Sequence, residues 1–140
     1  MATSPATLSR LNKVVLACLD GRRIKGYVYD FSALKDFLNL LPQENPLQEH
    51  ATRVELKDLK AVFFVKDFIG NSQYREDPRA ESSMHGRKIE VTFHDGETIL
   101  GKTEGYNPQK LGFFVFPGDP QSNNIRIFVV SKNARNIHFA

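Results

Sequence analysis

The feature that most constrains the fold is a pattern, x-D-G-x-x-I-x-G, that occurs twice. It lies in LDGRRIKG, which begins at Leu19, and in HDGETILG, which begins at His94. Aligning residues 13–65 with 88–140 without gaps gives ten identities over 53 positions, and the apolar positions coincide in phase. Because a one-residue slip would turn a whole strand face outward, this agreement predicts a tandem repeat of about 75 residues.

Each copy of the repeat reads as five short strands. In the second copy, apolar and polar residues alternate along KIEVTF, and TILG, LGFFVFP, NNIRIFVVS and ARNIHF follow with residues that favour strands. In the first copy, FSALKDFLNLL also has apolar residues at helical spacing. Its counterpart QKLGFFVF is rich in β-formers, so we favour a strand there as well.

Glycines indicate how these strands connect. Asp20-Gly21 and Asp95-Gly96 predict hairpins closed by two-residue primed turns, which need positive φ angles. Gly26 and Gly101 each lie inside the following strand, where glycine is typical of a bend or a close approach of two backbones. A bent second strand would let a short sheet curl.

The predicted fold class is therefore all-β, with two fused small barrels. The barrels take residues 13–69 and 87–140, and the polar segment 70–86 links them. Residues 1–12 predict a short N-terminal helix or arm, because Ser4 can cap a helix that begins at Pro5.

Composition narrows the classes of function. The chain has 140 residues, of which 41% are hydrophobic, and a net charge of +3 that falls short of a dense nucleic-acid-binding stripe. The single cysteine, Cys18, cannot form an internal disulfide. No apolar run approaches the length of a membrane span, so we expect a cytoplasmic protein with no membrane partner.

Catalytic chemistry is not indicated by any motif. The four histidines have no neighbouring ligand at a spacing typical of metal sites, and no nucleophile elbow, phosphate loop or dinucleotide fingerprint occurs. Asp20 and Asp95 are explained by their turns. We therefore expect no enzyme, no catalytic residue, no metal and no cofactor, and the sequence predicts no small-molecule ligand.

Two groups of residues are candidates for binding. Arg22, Arg23 and Lys25 cluster at the first hairpin, where the second copy has no basic residue, and Arg126 follows a polar loop. These four residues predict a patch for an anion such as RNA; the alternative is an ordinary solvated hairpin tip.

The second candidate group is aromatic: Phe63, Phe114 and Phe116. These residues make the outward faces of two strands apolar, and such faces are rarely left open to water. Either the sister unit covers them in one fused core, or they form an interface with a protein partner or another copy of the chain.

The stretches VVLACLDGRRIKGYVYDF and IEVTFHDGETILGKTEGY resemble the first motif of Sm-like proteins, and IFVVSKNARNIHF resembles the second. This resemblance implies that the two units are small barrels of the Sm-like or SH3-like kind. It also implies RNA binding on a ring in which the fourth strand of one unit pairs with the fifth strand of the next. YDFSALK is similar, more weakly, to an element of PilZ domains, which implies a degenerate cyclic-dinucleotide receptor. DLKAVFFVKDF and GFFVFPGDPQSNN resemble an uncharacterised bacterial domain type, which implies no activity.

Taken together, the sequence predicts a non-catalytic bacterial binding or regulatory module that acts through protein–protein contacts or self-association, made by sheet edges and Phe-rich faces. RNA binding and cyclic-dinucleotide binding are the alternatives.

Overall fold

The structure, a computed structural model, describes residues 11–44, 51–70, 74 and 85–140. The predicted N-terminal helix lies outside the described residues except for its last two positions, and Asn12 already belongs to a strand. The predicted linker, 70–86, also lies largely outside the described residues.

The chain is all-β, as the sequence predicts. The described residues form ten strands and two 3₁₀ turns. The elements are β1 (Asn12–Cys18), β2 (Arg23–Val28), β3 (Phe37–Pro42), β4 (Thr52–Glu55), a turn (Leu56–Asp58), β5 (Leu59–Val65), β6 (Arg87–Phe93), β7 (Thr98–Thr103), β8 (Gly112–Pro117), β9 (Asn124–Val130), a turn (Ser131–Asn133) and β10 (Ala134–Phe139). The segment FSALKDFLNLL becomes a strand from Phe37 onward, so its helical alternative is wrong.

The strand pairings of the first half recur in the second half. Each is shifted along the sequence by the same number of residues that separates Asp20 from Asp95. Leu16 pairs with Ile24 between β1 and β2, and Val91 pairs with Ile99 between β6 and β7. The ladders β1–β5, β2–β3 and β3–β4 have counterparts in β6–β10, β7–β8 and β8–β9 with the same displacement. Each strand residue of the first half therefore has a structural counterpart in the second half, and we call this relation the repeat displacement.

The two halves form one continuous antiparallel sheet rather than two sheets that each close on themselves. Its strand order is β10-β6-β7-β8-β9-β5-β1-β2-β3-β4. The prediction is therefore confirmed in part. The chain is all-β and repeated, but the two halves do not form two separate closed barrels. The physical reason is the pairing of β5 with β9, which joins the last strand of one half to the fourth strand of the other.

Two hydrophobic clusters lie on opposite faces of these two central strands. The first-half cluster includes Val62 and Phe64 of β5 and receives Phe128 from β9. The second-half cluster includes Ile127 of β9 and receives Phe63 from β5. Since successive side chains of a strand alternate between faces, β5 and β9 each contribute to both clusters, and the halves share their cores.

The hairpin turns differ from the predicted type. The amide of Gly21 donates to the carbonyl of Cys18, the amide of Cys18 donates to the carbonyl of Arg22, and Gly21 has a φ of +93°. Gly96 repeats this arrangement with a φ of +91°. Only the glycine has a positive φ, so the loop has three residues and ends in a left-handed glycine. Asp-Gly fits both this three-residue turn and the predicted two-residue turn, so the sequence did not distinguish the two turn types.

Gly26 and Gly101 lie where two backbones approach closely. A Cβ at Gly26 would overlap the carbonyl oxygen of Leu41, and one at Gly101 would overlap that of Phe116. These contacts occur where β2 meets β3 and β7 meets β8, each through two paired residues.

Candidate functional site

The junction between β5 and β9 shows how this chain joins one unit to another. Five residue pairs connect the strands, among them Phe63 with Ile127 and Val62 with Phe128. All seven residues of β5 are buried, and the last four residues of β9 are buried as well. The junction is thus an edge-to-edge strand pairing with apolar side chains on both faces.

A polar clamp closes one end of the junction. Nζ of Lys60, a buried residue of β5, donates to Oδ2 of Asp95 at 2.8 Å and lies 2.5 Å from Oε1 of Glu97. The guanidinium of Arg23 lies 3.5 Å from the same Glu97 oxygen. The hydrogen bond from Lys60, followed by that from the Glu97 amide, lowers the pKa of the Asp95 carboxyl. The second hairpin is therefore held to the first half by charge.

An amide provides a further connection at the same junction. Nδ2 of Asn133, in the second 3₁₀ turn, donates to the carbonyl oxygens of Lys57 at 3.0 Å and Leu59 at 2.8 Å. These bonds satisfy one carbonyl group in the first 3₁₀ turn and one at the start of β5, and they fix the turn of one half against the turn of the other.

The two ends of the sheet are the counterparts of this junction. Strand β10 corresponds to β5 and strand β4 corresponds to β9, and neither has a second neighbour within the described part of the chain. Their outer positions are polar: Arg53 and Glu55 replace Phe128 and Val130, and Asn136 and His138 replace Ala61 and Phe63. Of these four polar residues, Arg53, Asn136 and His138 are exposed and Glu55 is half-buried. The chain therefore presents two complementary open edges.

The predicted basic cluster is already engaged within the chain. Nε of Arg22 donates to Oδ2 of Asp20 at 2.7 Å, and Nζ of Lys25 donates to the carbonyl of Phe68 at 2.8 Å. Arg23 stacks 5.4 Å from the centre of the Phe63 ring as well as approaching Glu97. Acidic groups thus offset part of this charge, and the arrangement agrees better with a solvated hairpin tip than with an open anion site.

Arg126 does not join that cluster. Its guanidinium lies 4.4 Å and 4.5 Å from the ring centres of Phe64 and Phe114, and burial lowers its pKa. Phe64 and Phe63 are neighbours on β5 and point to opposite faces, so Arg126 and Arg23 lie on opposite faces of the sheet.

The three candidate phenylalanines do not form one outer surface. Phe63 is buried in the second-half cluster. Phe114 is half-buried against the first half, with its ring centre 5.9 Å from that of Phe31 and 6.1 Å from that of Phe64. Phe116 is half-buried beside Phe114. The sister half covers Phe63 and Phe114, so for these two residues the fused core replaces the predicted partner interface.

A small cavity of about 230 Å³ lies beside the loop between β2 and β3. It is lined by Tyr29, Asp30, Phe31, Lys35, Phe37, Leu38 and Asn39. Its volume is below that of ordinary small-molecule sites. Asp30 has a left-handed φ of +55°, and the Leu34 amide donates to the Ser32 hydroxyl, so the segment that resembles PilZ domains forms a local turn.

The remaining chemistry is sparse across the part of the chain that the structure describes. No group of three His, Cys, Asp or Glu side chains there could hold a metal ion. No described helix has the length and apolar character needed to cross a bilayer. Burial, and secondarily the Asp20 charge, raises the pKa of the Cys18 thiol.

Sequence reasoning singled out the hairpin, the phenylalanines and contact through sheet edges in general, but it did not identify which strands form the open edges, and it missed Lys60. The sequence held one signal that could have identified Lys60 and its counterpart Arg135. Both are basic residues within strands that are otherwise apolar or neutral. Sequence comparison places the chain in a family. The chain belongs to a family of unknown function, DUF6982, which matches residues 10–140. A search of curated proteins finds no match.

Proposed function

We propose that this member of DUF6982 is a non-catalytic module that associates with other copies of itself by pairing the open edges of its sheet. The observation that carries the proposal is the β5–β9 junction, in which the chain already joins two of its own units by edge pairing. An unpaired strand edge offers a row of free backbone groups that favours addition of another strand.

The geometry of such an association follows from the repeat. Strand β10 of one copy would meet β4 of the next, as β5 meets β9 within the chain. Applying the repeat displacement to the observed pairs places His138 opposite Thr52 and Ile137 opposite Arg53. The two surfaces are different, so the contact is heterologous and can continue from copy to copy.

The finer fold is part of the same proposal. Each half has five strands in the same ladder order and a glycine at the close approach of its second strand, which supports a curved, Sm-like unit. RNA binding is the weaker candidate, because Arg22, Arg23 and Lys25 each have a partner within the chain.

Disulfide trapping tests the edge pairing. We would prepare Thr52→Cys and His138→Cys as separate proteins, each with Cys18→Ala, and oxidise them alone and mixed. Residues directly opposite in an antiparallel pair are close enough for a disulfide. We expect a cross-linked dimer from the mixture and little from either protein alone.

Two results would contradict the proposal. No dimer in the mixture would exclude this register, and equal dimer from each protein alone would indicate a symmetric contact instead. Fluorescence anisotropy with single-stranded RNA would run in parallel. Binding that persists at physiological salt and is lost on Arg22→Ala, Arg23→Ala and Lys25→Ala substitution would favour the RNA candidate, because the counterion effect weakens nonspecific contacts as salt rises.

A further inference from the structure

We infer that two copies joined at their open edges recognise each other through polar contacts, centred on an ion pair between Arg135 of one copy and Asp20 in the first hairpin of the next. This inference rests on the proposed self-association. It adds which residues select the partner and how strongly the copies are joined.

The ion pair is derived from the clamp. Lys60 of β5 contacts Asp95 of the second hairpin, and the counterparts of these residues are Arg135 of β10 and Asp20 of the first hairpin. Both counterparts are exposed and carry opposite charges. Arg135 lies on the edge strand β10, and Asp20 lies in the β1–β2 hairpin of the half that contains the other edge strand, β4. Pairing β10 with β4 in the observed register would bring them together across two copies.

The new pair would be weaker than the internal clamp. The second acid of the clamp, Glu97, has Arg22 as its counterpart, and Arg22 already bonds to Asp20. The Asp20 carboxylate would therefore pair with both Arg22 and Arg135, and Asp20 and Arg135 are exposed to solvent. Exposed pairs of this kind are screened by salt.

A second contact between the copies would also join two side chains that carry polar groups. At the internal junction the Phe31 ring lies 5.1 Å from that of Phe128, centre to centre. Under the repeat displacement, this contact becomes Tyr106 of one copy against Arg53 of the next. A tyrosine ring can accept a guanidinium on its face. Nε of Arg53 is held by Glu55 at 3.0 Å, which restricts its position before any partner arrives.

The consequence is a difference in strength between the two kinds of junction. The internal one buries apolar side chains and is part of the core, whereas the open edges carry charged and amide groups that resist unspecific strand addition. Copies would therefore associate reversibly, and the affinity would fall as ionic strength rises.

Sedimentation equilibrium on charge variants of the full chain tests the inference. We would measure self-association for wild type, Arg135→Glu, Asp20→Asn and the double variant, at low and physiological salt. Asparagine keeps a side-chain acceptor for the turn. We expect Arg135→Glu to weaken association about tenfold at low salt and Asp20→Asn to weaken it less.

The decisive result is that Asp20→Asn has opposite effects on self-association in the wild-type and Arg135→Glu backgrounds. In the Arg135→Glu protein, Asp20→Asn should strengthen association, because it removes a repulsion instead of an attraction. Lys66→Glu is the matched control: it makes the same change in net charge at the internal junction, where Nζ of Lys66 donates to the Pro120 carbonyl, and should have little effect.

The outcomes separate the two proposals. If the Thr52→Cys and His138→Cys proteins cross-link but Asp20→Asn has the same effect in both backgrounds, the polar recognition is wrong and edge pairing stands. If they do not cross-link and wild type stays monomeric at both salt concentrations, both proposals fail. If Lys66→Glu weakens association as much as Arg135→Glu, net charge rather than the pair is responsible, and the inference fails.

Discussion

Lys60 and Asp95 join the two halves of the chain through a 2.8 Å hydrogen bond between residues 35 positions apart. The ammonium group is buried and lies 4.8 Å from the centre of the Phe93 ring, whereas the carboxylate remains mostly exposed. A buried cation is costly unless it is paired. The second hairpin therefore supplies the charge that lets a lysine occupy the central strand of the sheet.

The first prediction concerns the pH dependence of this contact. The pKa of Asp95 is lowered in the folded protein, so the contact stabilises the fold above the ordinary carboxyl pKa and is lost as the pH falls through the folded value. Asp95→Asn should lower the free energy of unfolding at pH 7, and the difference from wild type should vanish in acid. Urea unfolding between pH 7 and pH 2 measures this.

Glu104→Gln is the control for that experiment, because it removes an exposed carboxylate away from the junction. It should leave the pH profile unchanged. A constant difference between wild type and Asp95→Asn at every pH would show that the asparagine acts through packing and not through the ion pair.

The second prediction concerns the glycines at the close backbone approaches. Gly26→Ala and Gly101→Ala would each push a methyl group onto a backbone carbonyl, which cannot move aside as a flexible side chain does. Each should cost about 1–3 kcal/mol of unfolding free energy. Gly105→Ala, at a position with open space, should be nearly neutral in the same thermal or urea experiment. Similar losses at all three positions would contradict the explanation.

Much of the fold was accessible from the sequence because strand phase is a local property. Alternating residues such as Val14 and Leu16 define an inner face, and the same phase in Ile89 and Val91 of the second copy defines the repeat. Most strands were placed for this reason, whereas β3 was placed from the β-forming residues of its counterpart in the second copy. The hairpin type was not, since Asp-Gly fits both a two-residue turn and the three-residue turn that is present.

The pairing of a fourth with a fifth strand at the junction was implied by the Sm-like resemblance, but the residues alone did not show that it occurs within one chain, because it depends on a choice of partner. Phe63 and Phe64 make both faces of β5 apolar, which indicates that something covers each face but not what does. In the structure, β9 of the same chain pairs with β5. The partners of the basic cluster could not be predicted for a related reason: residues such as Phe68 and Glu97 lie far away in sequence.

The third prediction is that the two halves unfold together. Phe128 is fully buried and belongs to the second half by sequence but to the first-half cluster by position. Phe128→Ala should cost about 3–5 kcal/mol and destabilise both halves. Phe116→Ala, at a half-buried position on the neighbouring strand, should cost less.

Calorimetry and hydrogen exchange would measure this coupling. Wild type should give a single transition, and amides of β1 and β6 should lose protection together in the Phe128→Ala protein. Two separate transitions, or loss of protection confined to one half, would show that the shared strands do not couple the cores.

The last prediction concerns the reactivity of Cys18. Burial, with the charge of Asp20 as a smaller cause, raises the pKa of its thiol, and the thiolate is the reactive form. Alkylation by iodoacetamide at pH 8 should therefore be slower in the folded protein than in urea. The control is Leu19→Cys in a Cys18→Ala background, because Leu19 is exposed in the adjacent turn. Equal rates for the two thiols would contradict the assignment.

The same thiol also reports on the proposed association between copies. The counterpart of Cys18 is Phe93, which is buried under Lys60 at the internal junction. If copies associate as proposed, the alkylation rate at Cys18 should fall further as protein concentration rises. The rate for Cys18 in the Arg135→Glu protein should depend less on concentration, because that substitution weakens the contact between the open edges.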